Sequence, residues 1–143
     1  MACSNNFKKS AVSTVNTAAQ TVTATATPLS LLGSVCYNSG CSLSANASGI
    51  NIKSSGLYTA SGSVTITPTA AGTVTVYLAL NGVTLPCSVR QQTVVAASPI
   101  TINTSAPAFG AGACACNSST LTLVVSGAAG TVDYVTAGAV RLA

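Results

Sequence analysis

Between Ser55 and Cys87 the chain alternates apolar and polar residues in two separate runs. In SVTITP, Val64 and Ile66 alternate with Ser63, Thr65 and Thr67, and in TVTVYLAL the residues Val74, Val76, Leu78 and Leu80 do the same. Successive side chains of an extended strand point to opposite faces, so each run predicts a strand with one buried face. The breaker cluster Pro68 to Gly72 separates the runs and predicts a turn that pairs them. Asn81-Gly82, after the second run, predicts a tight hairpin turn with positive φ.

The 143 residues suffice for one domain with a sizeable core and are too few for two comfortable ones. Charged residues make up only 4% of the chain, namely Lys8, Lys9, Lys53, Arg90, Arg141 and Asp133, against roughly 25% in an ordinary soluble domain. Almost half of the residues are apolar, yet no run reaches the ~20 needed to span a bilayer, so membrane insertion is not expected. So little charge leaves a lone monomer with little to prevent association, and an obligate oligomer is the expected state. The net charge of +4 is too sparse for a nucleic-acid surface, with only Lys8 and Lys9 adjacent and no aromatics interleaved. MACSNNFKK lacks the apolar core of a secretory signal, so synthesis in the cytoplasm without a signal peptide is expected.

Residues 1–27 are polar and rich in Ser, Thr, Asn and Ala, which predicts an extended arm ordered only against a partner. Phe7, Val12, Val15 and Val22 are the side chains such an arm would bury on docking. The domain proper is expected over 28–143. TVTATATP alternates into a first strand ending near Pro28, and LSLLGSV follows as a short buried run. CYNSGCSLSANASG reads as loop, GINI as a brief strand, and SVRQQTVVAASPITINTSAP as two more around Thr93 to Ala96 and Ile100 to Asn103. The Gly-, Ala- and Cys-rich stretch from Ala106 to Ser119 reads as loop, and STLTLVVSG and TVDYVTAGAVRLA as closing strands. Short strands at regular spacing, with no helical period, make an all-β sandwich or barrel.

The order of these pieces, Gly56-Leu57-Tyr58, the alternating strand to Pro68, then the Asn81-Gly82 hairpin with Leu85-Pro86, resembles the trimeric jelly rolls of the C1q/tumour-necrosis-factor-like superfamily. Within it the resemblance is to the bacterial and bacteriophage members, the head-fibre and capsid-decoration type, and in look to exosporium glycoprotein tips. It covers residues 20–143 and implies a jelly-roll sandwich in a threefold trimer with an aromatic and aliphatic seam along the axis. Tyr58, Tyr77 and Tyr134, all on predicted strands, are the seam candidates.

Six cysteines, Cys3, Cys36, Cys41, Cys87, Cys114 and Cys116, pose a choice between disulfides and metal. With no His, a C-x-C pair too tight for a zinc knuckle, and one carboxylate, a metal site is disfavoured. Disulfides are expected instead: Cys36 with Cys41 as a local ring, and Cys87 with Cys114 or Cys116. A bridge across a long loop would add ~3–4 kcal/mol. Catalysis has little to stand on, because general acid–base chemistry needs a titratable group and the chain holds no His, no Glu and one Asp. AFGAGAC lacks the lysine of a phosphate loop, so no cofactor is expected.

A protein with this resemblance, an arm and no chemistry is expected to be a bacteriophage virion protein. It would decorate the capsid as a homotrimer, with the major capsid protein or another virion protein as partner. Two alternatives are a tail-fibre or surface adhesin binding a host glycan, and a spore-surface structural protein. The first wants exposed aromatics, of which this chain has few, and the second a Gly-X-Y stalk that does not precede it here.

Overall fold

The structure, a computed structural model, describes residues 9–110 and 119–142. Its strands are β1 (Ala11–Asn16), β2 (Gln20–Val22), β3 (Thr27–Pro28), β4 (Ser34–Ser39), β5 (Leu43–Asn46), β6 (Gly49–Ile52) and β7 (Gly56–Pro68). They continue with β8 (Gly72–Leu80), β9 (Val83–Thr84), β10 (Arg90–Val94), β11 (Ile100–Gly110), β12 (Ser119–Ser126) and β13 (Gly130–Arg141). A single 3-10 turn, Pro86–Ser88, is the helical element among the described residues. No helix among them is long and apolar enough to cross a membrane.

Two antiparallel sheets stack face to face. The first runs β11-β7-β13-β1-β4, with β2 following β1 along β13; the second runs β10-β8-β12-β6-β5, with β3 beside β12 and β9 beside β8. This is the all-β sandwich expected from the regularly spaced strands, in the jelly-roll form that the resemblance implies. The pairing of its two alternating runs is different from the expectation. β7 lies in the first sheet and β8 in the second, so residues 69–71 carry the chain across the layers. Each run has one apolar face, and setting those faces against each other across the core buries both at once. Asn81 and Gly82 do form the expected hairpin, at φ 51° and 81°, joining β8 to β9 with Leu80 opposite Val83.

The structure corrects the N-terminal arm. β1 lies between β13 and β4, with Val12 opposite Ala139 and Asn38, and β2 pairs Val22 with Gly130. Val12 and Val22 are buried in this chain's own core, and Val15 is half-buried on the sheet. Val15 also accepts a hydrogen bond at its carbonyl from Gly33 N–H at 3.0 Å. Polar side chains tie the segment down further: Asn16 Nδ2 and Gln20 Nε2 each donate to the Ser30 carbonyl at 2.9 Å, and Ser30 N–H returns a bond to Gln20 Oε1. A strand flanked on both edges satisfies its backbone through the ladder, so few large apolar residues are needed to hold it. Phe7 lies outside the described residues.

Between the sheets, small residues face large ones. A Cβ on Gly62 of β7 would sit 2.9 Å from both δ-carbons of Leu123 on β12, so the missing side chain is the space that Leu123 fills. Ala60, Ala137 and Ala139 lie beside Gly62 in the same sheet and share one buried core with Ile50, Ile52, Leu78 and Leu121. Tyr58 is fully buried, its hydroxyl donating to the Ser54 carbonyl at 2.8 Å, which satisfies the one polar atom of a large core ring. Ser88 in the 3-10 turn bridges the sheets: its Oγ accepts from Leu78 N–H at 2.8 Å, and its carbonyl accepts from the Thr104 hydroxyl of β11.

Two outcomes follow for stability. Leu123→Ala should cost about 2–5 kcal/mol in denaturant unfolding, since a void opens above Gly62 that backbone cannot refill. Deletion through Val22 should abolish the cooperative thermal transition by circular dichroism, because it removes β1 and β2 from the ladder of β13. A truncated protein that melts like the full chain would contradict this account of the segment.

Candidate functional interface

The outward face of the first sheet is the most distinctive surface of the molecule. Strand register sets its rows. One row reads Tyr37, Ser13, Gly138, Ser61 and Ser105 across β4, β1, β13, β7 and β11. The next toward the chain termini reads Ser39, Ala11, Val140, Thr59 and Pro107, followed by Leu57 opposite Phe109. On the other side lie Val15, Thr136, Ser63 and Asn103, then Tyr134, Thr65 and Thr101. None of these positions carries a charge.

Exposed apolar groups stand at both margins of the face and small hydroxylic groups at its centre. Tyr37 is 58% exposed, Phe109 65%, Val140 47% and Tyr134 45%. Tyr134 owes its direction to a bulge: β13 opposes Val132 to Ile66 and Tyr134 to Thr65, leaving Asp133 as the extra residue. Val132 and Val135 therefore both face the core while Tyr134 faces out. Thr67 donates its hydroxyl to Asp133 Oδ2 at 3.1 Å, holding the one carboxylate at the edge of the face. The centre is concave, a groove of about 420 Å³ lined by Ser13, Ser61, Ser63, Asn103, Thr136 and Gly138 and by Arg90 from the second sheet. Arg90 Nη1 donates to the carbonyls of Cys87 and Val89 at 3.1 and 2.9 Å. Hydroxyls and an amide can bind, but with no general base among them they activate nothing.

The three tyrosines read as a seam are not brought together. Tyr58 is buried inside the protomer and cannot reach a neighbour. Tyr77 is half-buried on the outer face of the second sheet, opposite Val124. Only Tyr134 lies on the face described above. Tyr37 and Phe109 supply the other aromatic rings there. Both sit in stretches whose Asn, Ser, Gly and Ala content reads as loop, and both strands pair along the ladder edge that a neighbour, β1 or β7, offers.

The expected cysteine pairings are also corrected. Cys36 and Cys87 are exposed free thiols, so neither the Cys36–Cys41 ring nor a bridge from Cys87 is formed. Cys36 is the extra residue of a bulge in β4, where Ser13 opposes Tyr37 and Thr14 opposes Val35. Extended backbone of about 3.3 Å per residue then carries it away from Cys41. Cys41 is not a free thiol. Cys3, Cys114 and Cys116 lie outside the described residues. Among those described, no three His, Cys, Asp or Glu side chains converge as a metal site would need. Cys36 and Cys87 should both react promptly with a maleimide in the native protein, and Cys36→Ser should shift stability by less than about 0.5 kcal/mol. A protected Cys36 would contradict the exposed bulge.

No family model matches the chain, and no curated protein matches it in sequence. Solved structures do match it in shape. The vertex protein P5 of PRD1 superposes with a TM-score of 0.61 at 16% identity, over 94% of this chain and 97% of that one. Murine APRIL at pH 5.0 gives 0.69 at 15% identity, over 94% and 100%. The globular domain of the zebrafish complement 1qA protein gives 0.63 at 7% identity, over 95% and 98%. The strand order of both sheets and these superpositions over nearly the whole chain establish the fold as the TNF/C1q-like jelly roll.

Proposed function

We propose that this protein is a structural component of a bacteriophage virion, a homotrimer that decorates the capsid surface and has no catalytic role. The observation that carries the self-association is the uncharged outer face of the first sheet, with exposed Tyr37, Phe109, Val140 and Tyr134 around a hydroxylic centre. An exposed apolar surface of this kind, on a chain with 4% charged residues, is a surface suited to burial. Three copies around an axis close the interface without leaving a free copy of the face, whereas open head-to-tail contacts would grow filaments. A virion location, and with it a capsid partner, is supported by the likeness to a phage vertex protein. A glycan-binding role is less well supported, since the groove lining holds no aromatic ring on which a sugar would stack.

Native mass spectrometry and sedimentation of the full chain should give a trimer at micromolar concentration. Ser61 stands exposed at the middle of the face, so Ser61→Arg should leave the circular dichroism spectrum unchanged and convert the trimer to monomer. A wild-type chain that stays monomeric, or a Ser61→Arg variant that still assembles in threes, would remove this face from the interface.

A further inference from the structure

The groove on the outer face of the first sheet has a floor of small residues. Gly138 and Ser61 lie side by side at its centre, with Ser13 and Ser105 to either side in the same row. Its one charged group, Arg90, opens β10 at the edge of the second sheet and reaches the groove past β11. That edge is held in place by the Thr104 hydroxyl of β11, which donates to the Ser88 carbonyl. Arg90 commits Nη1 to the carbonyls of Cys87 and Val89. Its Nε and Nη2 have no hydrogen-bond partner among the described residues.

Tyr37 continues the same row at the β4 margin, opposite Ser13. It is 58% exposed, its hydroxyl is unbonded among the described residues, and it does not line the groove of its own protomer. Four strand spacings separate β4 from β11, about 19 Å in all, so Tyr37 cannot reach Arg90 within one copy. The other two rings of the face stand out of this row. Phe109 lies four residues beyond Ser105, and Tyr134 four residues from Gly138 in the opposite direction, each about 13 Å along the strands.

A ring of identical copies joins one side of each to the opposite side of the next. On this face the two sides are the β4 and β11 margins. Rotation about an axis along the strands moves no residue along that axis. Tyr37 of one copy therefore arrives at the row of Ser13, Gly138, Ser61 and Ser105 in its neighbour.

We propose that Tyr37 of each copy seats in the neighbouring copy's groove, its ring against Arg90 and its hydroxyl among the serines; the proposal rests on the self-association argued above. A tyrosine brings an apolar ring with a polar tip, and the groove answers with a small floor among hydroxyls. A guanidinium stacks on an aromatic face and keeps its edge donors for a phenol oxygen. Each groove is then completed by a residue that its own chain cannot supply.

Native mass spectra of the full wild-type chain come first, and a chain that stays monomeric removes the self-association together with this seating. Irradiating the full chain with p-benzoylphenylalanine in place of Tyr37 should join three chains, with links mapping to Arg90, 61–63 or 103–105 of the neighbour. Tyr37→Ala and Arg90→Ala should each raise the concentration of half-dissociation at least about tenfold, with unchanged circular dichroism spectra. Combined, they should raise it by less than the product of the two, because both remove one contact. A Tyr37→Ala trimer as tight as wild type, effects that multiply, or links on the second sheet's outer face overturn the seating and leave the trimer standing.

Discussion

β13 is the element on which the first sheet depends. It pairs with β7 from Gly130 to Arg141 on one side, and on the other with β2 near its start and β1 near its end. Remove it and β7 with β11 is severed from β1 with β4. Because β13 is the last strand of the chain, while β1 and β2 come from its beginning, the sheet closes only by joining residues more than a hundred positions apart. Such non-local pairing is slow to form, since loop closure is costly before the contacts reward it. The bulge at Asp133 belongs to the same strand, and it turns Tyr134 outward while keeping Val132 and Val135 in the core.

What sequence reveals here divides along the same line. β6, β7, β8, β12 and β13 are legible because Val, Ile and Leu alternate against Ser and Thr, a signal that is local and periodic. β1 is nearly invisible: AVSTVN alternates, but its groups are small and its neighbours polar, so the segment looks like an arm. Its stability comes from two partners that no window of sequence contains. β4, SVCYNS, is exposed at nearly every residue and holds no buried face to advertise it. The far half of β11, SAPAFG, is disguised by Pro and Gly, yet Pro107 lies on an edge strand, where its missing donor is tolerated.

These misses concern function as well as fold. Tyr37 and Phe109, two of the three aromatic rings on the candidate interface, ride on the two strands that propensity hides, at opposite edges of the first sheet. Tyr58 is the conspicuous tyrosine because it sits in a regular strand, and that regularity places it inside, at 0% exposure. A face meant for a partner does not need the alternation that a core demands on its inner side. Its outer residues are free to be small, hydroxylic or aromatic, and they leave a weak trace in the sequence.

Poverty of charge then acquires a second meaning. The rows of the first sheet's outer face hold no charged residue; Asp133 stands beside them at the bulge, and Arg90 reaches the central groove from the second sheet. Burying a charge costs several kcal/mol unless it is paired. A face built of hydroxyls and apolar groups carries little of that cost, so its exposed margins, Tyr37, Phe109, Val140 and Tyr134, can be covered at the expense of few polar groups. Scarcity of charge and the pattern of the face are thus one property: what makes the surface weak as a solvent-facing one makes it suited to burial.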